Sequence, residues 1–326
     1  MARSTTVHLA AVLIAACVWF AASAPAAEDG ANPRGAPTLV GADLKRETLA
    51  HRNLDDAVLT GADLAGADLR GASLRRADLR EAYLRDVDAR GADFSGALLA
   101  AADLTRADLR EARLDQADLS RATLDNARLD DASLRQSFLV GASLVRAQLP
   151  RARLDGAMLT NARLAQAVLR HATLVDATLG AALLGQQGPS PADLAGADLR
   201  GADLSRARLV SVNLREAILE DAVLAYARLG HANLSWSRAR HADLSHVNLA
   251  WTELYGADLQ GAHFVGAVLT QTQCEGADLS DADFSDATLD NTNLNQTKMT
   301  GVVIRNAKVA HVLAYGVTDL PAALRP

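Results

Sequence analysis

The stretch that decides the fold is GADLAGADLRGASLRRADLR, residues 61–80. Leu64, Leu69, Leu74 and Leu79 are five apart, and an Ala stands two places before each. A period of five suits neither a helix, at about 3.6 residues per turn, nor a strand, at about 2. It requires a chain that turns a corner every five residues or so and sends the same two side chains inward each time. The phase of these core Leu residues holds outward from Leu39 to Val309 without a shift. Four such corners predict a square coil of about 20 residues, repeated as a solenoid.

The pattern, roughly A-(D/N)-L-x-x, resembles the pentapeptide-repeat family, and GADLAGADLR (61–70) is close to that consensus. The resemblance covers about 270 of the 326 residues. It implies an all-β fold, a right-handed quadrilateral β-helix. About 14 coils stacked at a strand spacing of about 4.8 Å predict a rod on the order of 65 Å long. Leu fills the centre of each layer, and Ala, the largest residue expected to fit at the second inward position, packs beside it. Each buried Leu contributes roughly 1.5–3 kcal/mol.

Departures from the consensus carry information. Phe94, Phe264 and Phe284 fall on Leu positions, and Phe264, Phe284 and Ile304 are expected to stack on one face. Ala89 and Ala239 are small centres, the first next to Phe94 and the second near Trp236. Cys274 also occupies a centre, so it reads as a buried small hydrophobe. Glu47 and Arg52 stand at Ala positions and predict a frayed or capped start. GQQGPSP (185–191) puts Pro189 on a centre, yet the phase resumes at Leu194, which predicts a loop or kink.

The organisation expected is a signal peptide at 1–26, a disordered linker at 27–38, and a first repeat block at 39–184. A loop or kink at 185–193, a second block at 194–309 and a C-terminal cap at 310–326 complete it. The leader rests on LAAVLIAACVWFAA (9–22), an apolar run too short to span a bilayer comfortably, followed by small residues. Cleavage after Ala26 predicts an exported chain, periplasmic or extracellular, with no transmembrane span in its mature form. IAAC (14–17) offers an alternative, a lipid anchor at Cys17, and an uncleaved start is the third. The cap closes an end that would otherwise expose apolar side chains and strand edges. Some members of the family dimerise through this end, so a homodimer through the cap stands open beside a monomer.

The formal net charge of −6 leaves no basic excess to attract nucleic acid. Arg70, Arg90 and Arg110 form one column, beside Asp68, Asp88 and Asp108, and read as a neutralising lattice. From 250 to 297 there are eight acids and no Lys or Arg: Glu253, Asp258, Glu275, Asp278, Asp281, Asp283, Asp286 and Asp290. A second group occupies successive corners: Tyr226, His231, Trp236, His241, His246 and Trp251, with Tyr226 under His246 and His231 under Trp251. Consecutive corners point about a quarter turn apart, so these six read as a girdle and a candidate partner-contact surface.

No P-loop, dinucleotide glycine motif, HExxH, GxSxG or CxxC occurs in the sequence. No catalytic residue, metal ligand or cofactor is therefore expected. The leading expectation is an exported, non-enzymatic solenoid that acts as a structural or protein-interaction surface in the cell envelope, with an unknown protein partner. The alternative comes from the resemblance: some members carry an acidic, DNA-imitating surface that binds DNA gyrase, here the acidic C-terminal coils.

Overall fold

The computed structural model describes residues 35–185 and 191–324. The leader, Cys17 and Pro189 lie outside the described residues. The chain divides into two compact units, Met1–Ser143 and Leu144–Pro326.

In both units the chain is a β-helix whose sequence logic is visible bond by bond. Parallel bridges join residues 20 apart, as in Asp63↔Tyr83↔Asp103 of the first unit and Asn233↔Glu253↔Gln273↔Asn293 of the second. Four pentapeptides therefore make one coil. Each centre donates its N–H to the next coil, as Leu64 does to the Tyr83 carbonyl at 2.7 Å. The residue before it donates to the previous coil, as Asp63 does to the Ala42 carbonyl at 2.9 Å. Almost every side of the coil is one such bridge. Among the described residues, only Thr288–Asp290 (β1) and Lys308–Ala310 (β2) lengthen into strands, paired in parallel with Leu289 opposite Val309.

The corner is a turn with a defined chemistry. The N–H of each inward Ala donates to the Leu carbonyl three residues earlier, as Ala67 does to Leu64 at 2.9 Å. Two residues past each Leu the backbone has a positive φ: 67° at Gly66, 59° at Ala101 and 64° at Trp236. That is the third residue of a type II turn, where glycine is favoured. The frequent Asp or Asn before each Leu has its own reason. Its Oδ1 accepts the N–H of the residue two places on, as Asp63 does from Ala65 at 3.1 Å and Asn233 from Ser235 at 3.0 Å. These Asx contacts tie the side of the coil to its corner.

Leu64, Leu69, Leu74 and Leu79 are fully buried, and Phe264 stacks on Phe284 with ring centroids 4.6 Å apart. Ile304, expected to continue that column, is half-buried. One packing expectation fails: the second inward position takes more than Ala. Val87, Val212, Val247, Thr252, Thr272 and Thr292 are all buried there. The threonines fit because their hydroxyls reach backbone: Thr252, Thr272 and Thr292 donate to the carbonyls of Leu229, Leu249 and Leu269 at 2.8, 2.8 and 2.5 Å.

The coil also exceeds its expected limits. Val58 donates its N–H to the Pro37 carbonyl at 2.9 Å, so coiled backbone starts inside the segment read as linker. At the other end, bridges continue to Leu313 and Thr318, inside the segment read as cap, before a short 3₁₀ turn at Ala322–Leu324 buries Leu324. Around 185–191 the bridge interval rises from 20 to 25, as in Val168↔Asp193 and Leu183↔Arg208. The corner bond that elsewhere spans three residues here joins the Ala192 N–H to the Leu184 carbonyl at 3.0 Å. Ala192 and Asp193 thus belong to the coil. Gly185 lies against the next coil so closely that a Cβ there would be 2.3 Å from the Val210 carbonyl oxygen, which only glycine permits.

Candidate functional site

Corner side chains show a pattern that the sequence reading did not contain. Where the next corner is glycine, the side chain commonly leans toward the following coil, into the place where a Cβ would stand. Where the leaning group is a ring, the next corner is commonly glycine. A Cβ on Gly71 would lie 2.7 Å from His51 Nδ1, and one on Gly256 would lie 2.3 Å from Trp236 Cζ3. Gly261 and Gly266 receive His241 and His246 in the same way. The signal was available as a His or Trp followed by Gly at an interval of 20.

Where the next corner is itself a ring, the two stack. Tyr226 and His246 have centroids 4.8 Å apart, and His231 and Trp251 6.0 Å apart. Arg206 places its guanidinium 5.9 Å from the Tyr226 centroid, so this corner column runs cation, ring, ring, glycine. All six girdle residues lie at corners; four of them stack as the pairs Tyr226–His246 and His231–Trp251, while Trp236 and His241 lean onto Gly256 and Gly261. Trp236 and Trp251 are 58% and 55% exposed.

The quarter-turn argument missed what lies between the columns. Residues 232–236 and 252–256 are successive coils of one side. Its edges are the corners His231–Trp251 and Trp236–Gly256, so the two indoles border the same surface. That surface carries Asn233, Glu253, Gln273 and Asn293 in register. Asn233 donates to the Glu253 carboxylate at 2.7 Å and Asn293 to the Gln273 carbonyl at 3.1 Å. Tyr255 and Glu275 stand beside them. The Tyr255 phenol is held above its usual value, first by burial and then by the carboxylates of Glu253 and Glu275. The buried hydroxyls of Thr252 and Thr272 fasten the backbone behind the Trp251 edge.

The eight acids do not share this surface. Glu253 and Glu275 do, but Asp258 and Asp278 lie on the next side, paired with Arg240 at 2.7 Å and Lys298 at 3.2 Å. Asp281 and Asp286 are at corners, Asp283 accepts the Ser285 N–H at 2.8 Å, and Asp290 meets His311 at 3.1 Å. The acidic third is thus distributed around the coil.

The Arg column behaves as a lattice. Arg70, Arg90 and Arg110 each form a two-point pair with the Asp two places earlier, with Nε to Oδ1 at 2.8 Å in all three. Arg70 also reaches Asp88 in the next coil at 3.8 Å. The Arg70 guanidinium holds the Asp68 carboxyl down at about 2. Beside this column lies a cleft of about 550 Å³ lined by His51, Asp68, Arg70, Gly71, Arg90, Gly91 and Glu111. Its floor is two successive corner glycines. Cys274 is fully buried, and burial pushes its thiol up to about 12, so it is inert. Among the described residues no group of His, Cys, Asp or Glu is placed to hold a metal, and no helix is long and apolar enough to cross a membrane.

The model of the pentapeptide repeats matches residues 53–88, 90–186 and 192–311. The chain belongs to the pentapeptide-repeat family. Several solved structures are similar to parts of the chain. HetL, involved in heterocyst differentiation regulation in the cyanobacterium Nostoc sp. strain PCC 7120, is 27% identical over 82% of this chain and 89% of its own, with a TM-score of 0.32. A pentapeptide repeat protein of the Arabidopsis thaliana thylakoid lumen is 33% identical over 33% of this chain and 68% of its own, with a TM-score of 0.21. Full-length QnrB1, a plasmid-mediated fluoroquinolone resistance protein, is 17% identical over 75% of this chain and 92% of its own, with a TM-score of 0.21. Comparison with curated proteins finds no match.

Proposed function

We propose that this pentapeptide-repeat protein is an exported, non-enzymatic solenoid whose second unit presents a protein-interaction surface in the cell envelope. The observation that carries this reading is the pair of exposed indoles, Trp236 and Trp251, on the two edges of one side of the coil. Fixed aromatic rings over a flat, hydrogen-bonding surface are characteristic of contact sites, because they add apolar area at little entropic cost. The core offers no alternative, since its interior is filled by Leu, Ala, Val and Phe. Export rests on the leader in the sequence, and the right-handed winding of the coils is taken from the family. A gyrase-directed acidic surface is disfavoured by geometry, because the acids are spread over several sides and Asp258 and Asp278 are paired with cations.

The test is capture of envelope proteins from the host by the native chain and by a Trp236→Ala/Trp251→Ala variant. Loss of a captured partner with the variant is expected. Capture of the same partners by both chains would overturn the assignment of this surface.

A further inference from the structure

The corner column that holds Trp236 has an opening that the Tyr226 column, at the opposite corner, lacks. In the Tyr226 column the ring of the next corner residue, His246, lies 4.8 Å away and covers the Tyr face. In the Trp236 column the next two corners are Gly256 and Gly276. Gly256 receives the indole and has no side chain of its own to lean onward. The place such a side chain would take, at the Gly276 Cβ position, is free: the nearest atom is the Gly256 nitrogen at 3.9 Å. Trp236 therefore faces a slot one coil spacing deep, open along the edge of the side that carries Glu253, Tyr255 and Glu275.

We infer that this slot takes the guanidinium of an arginine from a basic segment of a protein partner, stacked on Trp236 and paired with the carboxylates of Glu253 and Glu275. This rests on the interaction reading above and names its chemistry. Three observations converge on it. The fold already contains the same kind of contact within itself, since Arg206 places its guanidinium 5.9 Å from the Tyr226 ring centroid in the diagonally opposite corner column. Glu253 and Glu275 accept hydrogen bonds from Asn233 and Asn293, at 2.7 and 3.4 Å, but neither is paired with Lys or Arg among the described residues. Residues 250–297 contain no Lys or Arg. A planar cation gains from the electron-rich face of an indole and from a nearby carboxylate together, which an ammonium satisfies less well. Trp251, on the opposite edge, offers a second ring to the same segment.

The test uses the whole chain and a synthetic oligoarginine peptide, with oligolysine, oligoglutamate and an uncharged oligosaccharide as competitors, read by indole fluorescence and calorimetry. Oligoarginine is expected to bind, more tightly than oligolysine, and to change Trp emission. Glu253→Gln/Glu275→Gln should weaken it about tenfold or more, and Trp236→Ala likewise. Asp281→Asn/Asp286→Asn, equal in charge but on other corners, should not. Protection of Cys274 from thiol reagents confirms that each variant is folded. Equal binding by the Glu253/Glu275 and Asp281/Asp286 variants would overturn the inference, since attraction would then be general. Binding of the oligosaccharide without oligoarginine would overturn it in favour of a glycan. If oligoarginine fails while host capture still depends on Trp236 and Trp251, the inference falls and the interaction reading stands. If neither depends on these residues, both fall.

Discussion

The indole of Trp236 occupies the position that a side chain on residue 256 would need, and a Cβ on Gly256 would come within 2.3 Å of Cζ3. The ring is thus set by a residue 20 places on in the sequence and one coil away in space. Gly256→Ala must displace the indole and also place a Cβ on a backbone with φ of 60°. The variant should lose about 1–3 kcal/mol of stability. In a Trp251→Phe background its Trp236 emission should shift toward that of a solvated indole. An unchanged spectrum would show that the ring does not rest on Gly256.

Corner glycines elsewhere give the opposite expectation for Ala. Ala101 has a φ of 59°, which an L side chain adopts at a cost and glycine does not. Ala101→Gly should therefore stabilise the fold by about 0.5–1 kcal/mol, after the larger entropy that glycine loses on folding. Denaturant unfolding measures it, and a destabilised variant would contradict the turn assignment.

Two buried hydroxyls should behave differently. Thr272 donates to the Leu249 carbonyl at 2.8 Å, so Thr272→Val should cost about 1 kcal/mol. The Ser237 hydroxyl is buried with no hydrogen-bond partner in the protein, beside the small centre Ala239. Ser237→Ala should be neutral or stabilising by about 1 kcal/mol. Thermal unfolding of the two variants side by side decides it.

The five-residue phase made the corners and the inward Leu positions legible, and the resemblance to the family supplied the quadrilateral β-helix. The corner rule was present but unread. Trp236–Gly256, His241–Gly261 and His246–Gly266 are regular in spacing, yet their meaning needs the direction in which a corner side chain leans. The size limit at the second inward position failed for a different reason. Thr252, Thr272 and Thr292 look polar in sequence and become compatible with the core only through carbonyls 23 residues earlier. Coil limits at Pro37 and Thr318 were hidden because backbone hydrogen bonds need no Leu.

Acid should act on the Asp–Arg lattice of the first unit. Asp68 sits at about 2 because Arg70 hydrogen-bonds its charged form, below the ordinary carboxylate value. A depressed carboxyl contributes stability that is present above its unfolded pKa and is lost as pH falls through the folded one, here between about pH 4 and pH 2. NMR titration of Asp68 should show the low midpoint, and Arg70→Met should move it up toward the ordinary range. A midpoint that Arg70→Met leaves in place would contradict the pairing.

Cys274 is enclosed at a centre with its thiol pushed up to about 12. It should resist thiol reagents in the native protein and react at a rate set by unfolding. Rapid labelling of the folded chain would mean that the second unit opens locally.

The central claim is that this solenoid works outside the cytoplasm as a contact surface. The most direct measurement is the intact mass and cell fraction of the untagged protein from its own host. The account predicts a chain beginning at Ala27 in the envelope or the medium. A full-length chain beginning at Met1 in the cytoplasm would contradict it.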